Sequence, residues 1–181
     1  MDPVAAHSAA GPVPPEGRVP IARTRLIGRA KESVRARELL LERGTPVLTL
    51  TGRGGSGKTR LAQSLASELA SHPAGGVVWV DLAPLADPAL AQLTVAKALG
   101  LTPVPGLEVA AQVVAALQTR ETILFLDNCE HIIDGVADLV ASWLPACPTL
   151  QIVATSRSPL RLRSEREFPV EPLPLPHVDA T

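Results

Sequence analysis

Gly52-Arg53-Gly54-Gly55-Ser56-Gly57-Lys58-Thr59 fits the pattern G-x-x-x-x-G-K-[ST] without departure. An apolar, β-rich run, Val47–Thr51, precedes it. A helical stripe follows over Thr59–Ser71, with Leu61, Leu65 and Leu69 at i, i+4, i+8 and Ala62, Ala66 and Ala70 beside them. A strand, a glycine loop and a helix in that order make a phosphate cradle. The glycines let successive N–H groups turn inward, and the helix N-terminus adds partial positive charge. Lys58 is suited to the β- and γ-phosphates and the Thr59 hydroxyl to Mg²⁺.

Outward from the loop, strand and helix patterns alternate. Val77–Leu82 (VVWVDL) reads as a second strand, followed by helical stretches near Pro88–Leu99 and Leu107–Thr119. Thr122–Asp127 (TILFLD) is a third strand, Ile133–Leu144 a helix, Leu150–Thr155 a fourth strand and Glu167–Val170 a short fifth. Before the loop, Glu32–Arg43 reads as a helix. The strands are near-continuous apolar runs, as a parallel sheet covered on both faces requires. The expectation is a doubly wound α/β layer. Residues 1–20, with five prolines, read as a leader, 21–171 as the nucleotide-binding domain and 172–181 as a Pro-rich tail.

In such a sheet the strand C-termini open onto one crevice. Asp127, ending the third strand, is therefore placed to hold Mg²⁺ with Thr59. The next residue is Asn128, which can orient a water but not take its proton, so hydrolysis is expected to be slow. Glu130 is the substitute carboxylate if the turn folds back. Arg157, ending the fourth strand, is a cation within reach of a terminal phosphate.

The chain has 181 residues and a formal net charge of −1, with 46% hydrophobic and 19% charged residues. That is a globular composition, and the charge balance argues against bulk electrostatic binding of nucleic acid. An aromatic share of 2% argues against base stacking. The basic window 18–43, with eight basic and three acidic residues, reads as a solvated helix face. Cys129 and Cys147 are too few for a disulfide framework or a four-ligand zinc site, and Cys129 with His131 reads as turn packing. Cys147 reads as a small buried thiol, and Trp79 and Trp143 as core or interface residues. The start has no basic n-region or continuous apolar h-region, and Pro145 and Pro148 break the longest apolar stretch. A cytoplasmic setting without membrane contact is the expectation.

Four segments together resemble a family. Leu26-Ile27-Gly28-Arg29-Ala30-Lys31-Glu32, then GRGGSGKT, then Ile123–His131 (ILFLDNCEH), then Val153–Arg157 (VATSR) look like the nucleotide-binding domain of NB-ARC/STAND-type signal-transduction ATPases. Among these they are most similar to bacterial regulators of the AfsR and large LuxR-type ATPase groups. The resemblance covers roughly residues 24–176. It implies a five-stranded sheet of order 5-1-4-3-2, Ile27, Gly28 and Arg29 near the adenine, and Arg157 as γ-phosphate sensor. Residues 52–59 and Arg60 complete the implied ATP/ADP-binding set. Nucleotide exchange would toggle self-association or downstream domains. The family's usual helical, winged-helix and sensor domains do not fit after Val170, so the chain reads as a fragment, an excised domain or a degenerate short gene product. Two other functions remain open: a non-hydrolysing, nucleotide-dependent interaction module, and, more distantly, a small-molecule kinase using Arg157, Arg161, Arg163 and Arg166.

Overall fold

The computed structural model describes residues 17–21, 26–42, 45–70 and 76–173. Most of the expected leader and of the Pro-rich tail lies outside these residues. The elements run α1 (Ala30–Leu41), β1 (Val47–Thr51), α2 (Lys58–Ala70), β2 (Gly76–Asp81), α3 (Ala91–Ala98), α4 (Val109–Gln118), β3 (Thr122–Asp127), α5 (Ile133–Trp143), β4 (Gln151–Ser156) and β5 (Glu165–Pro169). Five strands form one sheet in the order β2-β3-β4-β1-β5, and every pairing is parallel. Reversed, this is the 5-1-4-3-2 order implied by the resemblance, and the P-loop α/β architecture is as expected.

The apolar runs are continuous because successive residues serve opposite faces. Val78 and Val80 of β2, Leu124 and Leu126 of β3, and Ile152 and Ala154 of β4 pack into one core with α3, α4 and α5. Val77 and Trp79, Phe125, Val153, and Leu48 and Leu50 of β1 pack into the other, against α1 and α2. Trp79 and Phe125 stack there with ring centroids 5.7 Å apart. Trp143 lies in the first core, as does Cys147, so both tryptophans and this thiol are buried as the sequence suggested. Leu61, Ala62, Leu65, Ala66 and Leu69 form the buried stripe that seats α2 on the sheet.

Departures from the expected elements are local. The first helix starts at Ala30 and ends at Leu41, two residues earlier at each end than its pattern suggested. The stretch 88–99 begins as a 3-10 turn, Pro88–Leu90, because Pro88 sits at its first position and the Asp87 carboxylate accepts from the Ala89 N–H. The fifth strand runs from Glu165 to Pro169, so its first half is the polar ERE. It is an edge strand bonded only to β1, where charges and a proline are tolerated. The basic window is not uniformly solvated. Arg35 pairs with Glu38 on the surface at 3.3 Å, whereas Arg29 is buried.

Candidate functional site

The strand order decides the site. It places β4 between β1 and β3, so the ends of these three strands bring together the phosphate loop, Thr155 and Asp127. The loop itself turns through Gly52 (φ 149°), Gly55 (φ 78°) and Gly57 (φ 94°), a region only glycine enters without strain. At Gly52 space is limiting as well. A Cβ there would stand 2.5 Å from the Val170 carbonyl oxygen and 2.9 Å from Ser56 Oγ. The chain leaving β5 thus presses on the first residue of the loop, and the Val170 N–H donates to the Thr51 carbonyl at 2.7 Å.

Lys58 begins α2, and its ammonium turns back over the loop to donate to the carbonyls of Gly52 (2.8 Å) and Arg53 (3.1 Å). No carboxylate neutralises it within salt-bridge distance among the described residues. A charge held by carbonyls alone is free to meet an anion. In the same loop Ser56 Oγ is buried without a hydrogen-bond partner. Glycine freedom, an uncompensated ammonium and an orphaned hydroxyl together fit a phosphate-bearing ligand. Gly54 and Arg53 are exposed at the loop tip. Arg60, on the first turn of α2, is half-buried.

Thr59 donates to Asp127 Oδ1 at 2.9 Å, and Thr155 donates to the same oxygen at 2.5 Å. A hydroxyl and a carboxylate in contact are an oxygen pair of the kind that a small hard cation such as Mg²⁺ takes, so the donor set fits that ion. Burial pushes the Asp127 carboxyl above the usual carboxylate range. The Thr155 and Thr59 hydrogen bonds act against it, while the charges of Asp81 and Glu130 add to it. Asp127 faces Asp81 at the end of the neighbouring strand. A divalent cation among these groups would relieve both the burial and the repulsion.

Asn128 follows in the left-handed conformation (φ 63°, ψ 52°), with its side chain donating to Asp127 Oδ2 at 3.2 Å and its N–H to Thr155 Oγ1 at 2.9 Å. Cys129, fully buried in the next 3-10 turn, donates to the Leu126 carbonyl, and burial raises its thiol pKa strongly. It packs the turn, and among the described residues no group of three or more His, Cys, Asp or Glu could hold a metal ion. Glu130 pairs with Arg157 at 3.5 Å. Arg157 itself lines a cavity of about 520 Å³ with Thr51, Gly52, Arg53 and the segment Pro169–Pro172.

The three residues implied for the adenine lead into α1. Ile27 is 79% exposed, and Gly28 adopts φ 74° beside Leu173. The Arg29 side chain turns under the loop, donating to the Ser56 carbonyl at 2.6 Å and to the Glu171 carbonyl, with Glu32 as its ion-pair partner at 3.0 Å. Arg29 therefore ties the loop to the chain beyond β5.

The sequence reading missed Thr155. It stands inside the VATSR segment, where only the arginine looked like chemistry. Its role depends on β4 lying between β1 and β3, which spacing alone does not reveal.

Comparison with known proteins agrees with this geometry. The family model of the NB-ARC domain matches residues 29–159. A candidate HTH-type transcriptional regulator of Mycobacterium tuberculosis is 43% identical over 119 residues, covering 66% of this chain and 13% of that protein. An uncharacterised protein of the same organism is 35% identical over 152 residues, covering 84% of this chain and 38% of its own length. The chain thus spans well under half the length of these curated relatives. Among solved structures, Cdc6p from Pyrobaculum aerophilum superposes with a TM-score of 0.60 at 20% identity, covering 83% of this chain and 47% of that one. A STAND protein with a tetratricopeptide repeat sensor from Pyrococcus horikoshii gives 0.53 at 15% identity, covering 86% and 24%. At such identities the two structures speak for the fold, and the family rests on the sequence match. With the phosphate loop, the sheet order and that match in agreement, the chain belongs to the NB-ARC family of P-loop nucleotide-binding modules.

Proposed function

We propose that this chain is an ATP/ADP-binding switch module that hydrolyses ATP slowly in the presence of Mg²⁺. The observation that carries the reading is the Thr59–Asp127 contact, 2.9 Å between residues 68 positions apart, with Lys58, whose ammonium turns over the glycine loop, next to Thr59 in the chain. In this reading Lys58 meets the β- and γ-phosphates, Thr59 and Asp127 hold Mg²⁺, and Arg157 meets the terminal phosphate. The loop N–H groups of residues 52–57 and the helix dipole of α2 hold the remaining phosphate oxygens.

Turnover is slow because Asn128 carries no basic atom with which to accept a proton from water. In a longer regulator of the sort its mycobacterial relative is named for, exchange of ADP for ATP would change the module's contacts with neighbouring domains or copies. The setting is cytoplasmic; among the described residues no helix is long and apolar enough to cross a membrane. A second reading, a binding module without hydrolysis, is favoured by Asn128 together with the engagement of Glu130 by Arg157.

A thermal melt with Mg·ADP, Mg·ATP and no ligand, run beside Lys58→Ala, tests binding. At about 100 times Kd the ligand adds roughly 2.7 kcal/mol, a rise on the order of 5–10 °C for a domain of this size. The rise is expected for the parent chain and absent in Lys58→Ala. No rise in a cooperatively melting parent overturns the proposal. Phosphate release under saturating Mg·ATP then separates the readings: slow release lost in Lys58→Ala supports the ATPase, and none supports the binding module.

A further inference from the structure

Arg157 addresses two places with one guanidinium. Its Nε lies 3.5 Å from Glu130 Oε1. Its Nη2 faces the phosphate loop, where a Cβ added to Gly54 would stand 3.9 Å away. The arginine side chain is 69% exposed, while that of Glu130 is 24% exposed. The other carboxylate oxygen, Glu130 Oε2, is buried without a hydrogen-bond partner. A half-buried carboxylate thus leans on a single described cation, and that cation overhangs the loop. Carboxylate and phosphate compete for the same planar donors of a guanidinium.

We propose that the Glu130–Arg157 ion pair is a latch that sets the preference of this site between nucleoside diphosphate and triphosphate. A terminal phosphate must draw Arg157 away from Glu130, whereas a diphosphate leaves the pair closed. The latch therefore lowers affinity for the triphosphate alone. A partly exposed pair of this kind accounts for a factor on the order of two to five in affinity. The inference rests on the reading that the loop holds a nucleotide, and it makes Glu130 a specificity-determining residue acting through Arg157.

The test is a double-mutant cycle read by calorimetric binding of Mg·ADP and of Mg·adenylyl imidodiphosphate, a non-hydrolysable triphosphate. Glu130→Gln is expected to tighten the triphosphate about two- to fivefold while changing ADP by less. In an Arg157→Ala background the same substitution is expected to give no triphosphate-specific gain. Equal tightening of both nucleotides would reveal general charge repulsion and overturn the latch. So would a selective gain that persists without Arg157, or the absence of any gain. Should Glu130→Gln fail to melt cooperatively, Glu130→Asp, which shortens the arm by one methylene, carries the same expectation. A parent chain that binds neither nucleotide overturns the nucleotide-binding reading together with the latch. Binding that depends on Lys58 but shows no selective gain overturns the latch alone.

Discussion

Two strand-to-helix turns lie at the same edge of the sheet, separated by one strand, and they are built by opposite means. The turn from β1 to α2 is made of glycines at φ 149°, 78° and 94°, closed by a Ser56 to Arg53 turn hydrogen bond. The turn from β3 to α5 has no glycine between Asp127 and Ile133 and places Asn128 at φ 63°. Its backbone is held from inside, by Thr155 Oγ1 accepting from the Asn128 N–H and by the buried thiol of Cys129. The first turn leaves the Ser56 hydroxyl without a partner. The second spends the Asn128 N–H, the Cys129 thiol and both Asp127 oxygens on protein partners, and so holds the Asp127 carboxylate in place. A rigid carboxylate next to an open cradle is the division of labour that a metal-assisted phosphate site needs.

Substitutions at the two turns can break that contrast. The largest effect is expected at Gly52, where an alanine meets both a disfavoured φ and the Val170 carbonyl at 2.5 Å. Gly52→Ala should cost about 3 kcal/mol and lower Tm by roughly 6–12 °C. Gly55→Ala, with φ 78° and nothing within 4 Å of a Cβ, should cost only about 1 kcal/mol. Equal losses at the two glycines would show that backbone angle, and not the pressure from the β5 exit, governs the loop.

Thr155→Val keeps the shape but strands the Asn128 N–H and removes a donor to Asp127. A loss of about 2 kcal/mol is expected by denaturant titration. A loss under about 0.5 kcal/mol would mean that the second turn is not held by that hydroxyl. The smallest effect is expected for Asn128→Gly. Glycine suits φ 63° but forfeits the 3.2 Å hydrogen bond to Asp127 Oδ2, so stability should stay within about 0.5 kcal/mol. A larger loss would show that the side chain, not the backbone angle, selects asparagine there.

Legibility in the sequence followed the range of the interactions. The phosphate loop could be read because glycine spacing and the flanking strand and helix patterns are local. Asp127 could be read because four apolar residues before a carboxylate mark a strand end. Arg29 was named only through the family resemblance, near the adenine. Its charge otherwise read as part of a solvated basic window, and only the fold brings the Ser56 and Glu171 carbonyls to its guanidinium. Glu130 was legible as a carboxylate near the site, but its engagement with Arg157 joins two turns on different strands.

The sequence by itself determined the layered α/β class, the position of the loop and the placing of Lys58, Thr59 and Asp127 at the end of the sheet where that loop lies. These depend on periodicity and on residue types within a few positions of one another. The tertiary structure decided what lies between them. It set β4 between β1 and β3 so that Thr155 spans the gap, pressed the Val170 carbonyl against Gly52, and turned Arg29 under the loop. Each of these joins residues far apart in the chain. Their meeting depends on strand order, which is a property of the packed sheet and not of any one segment.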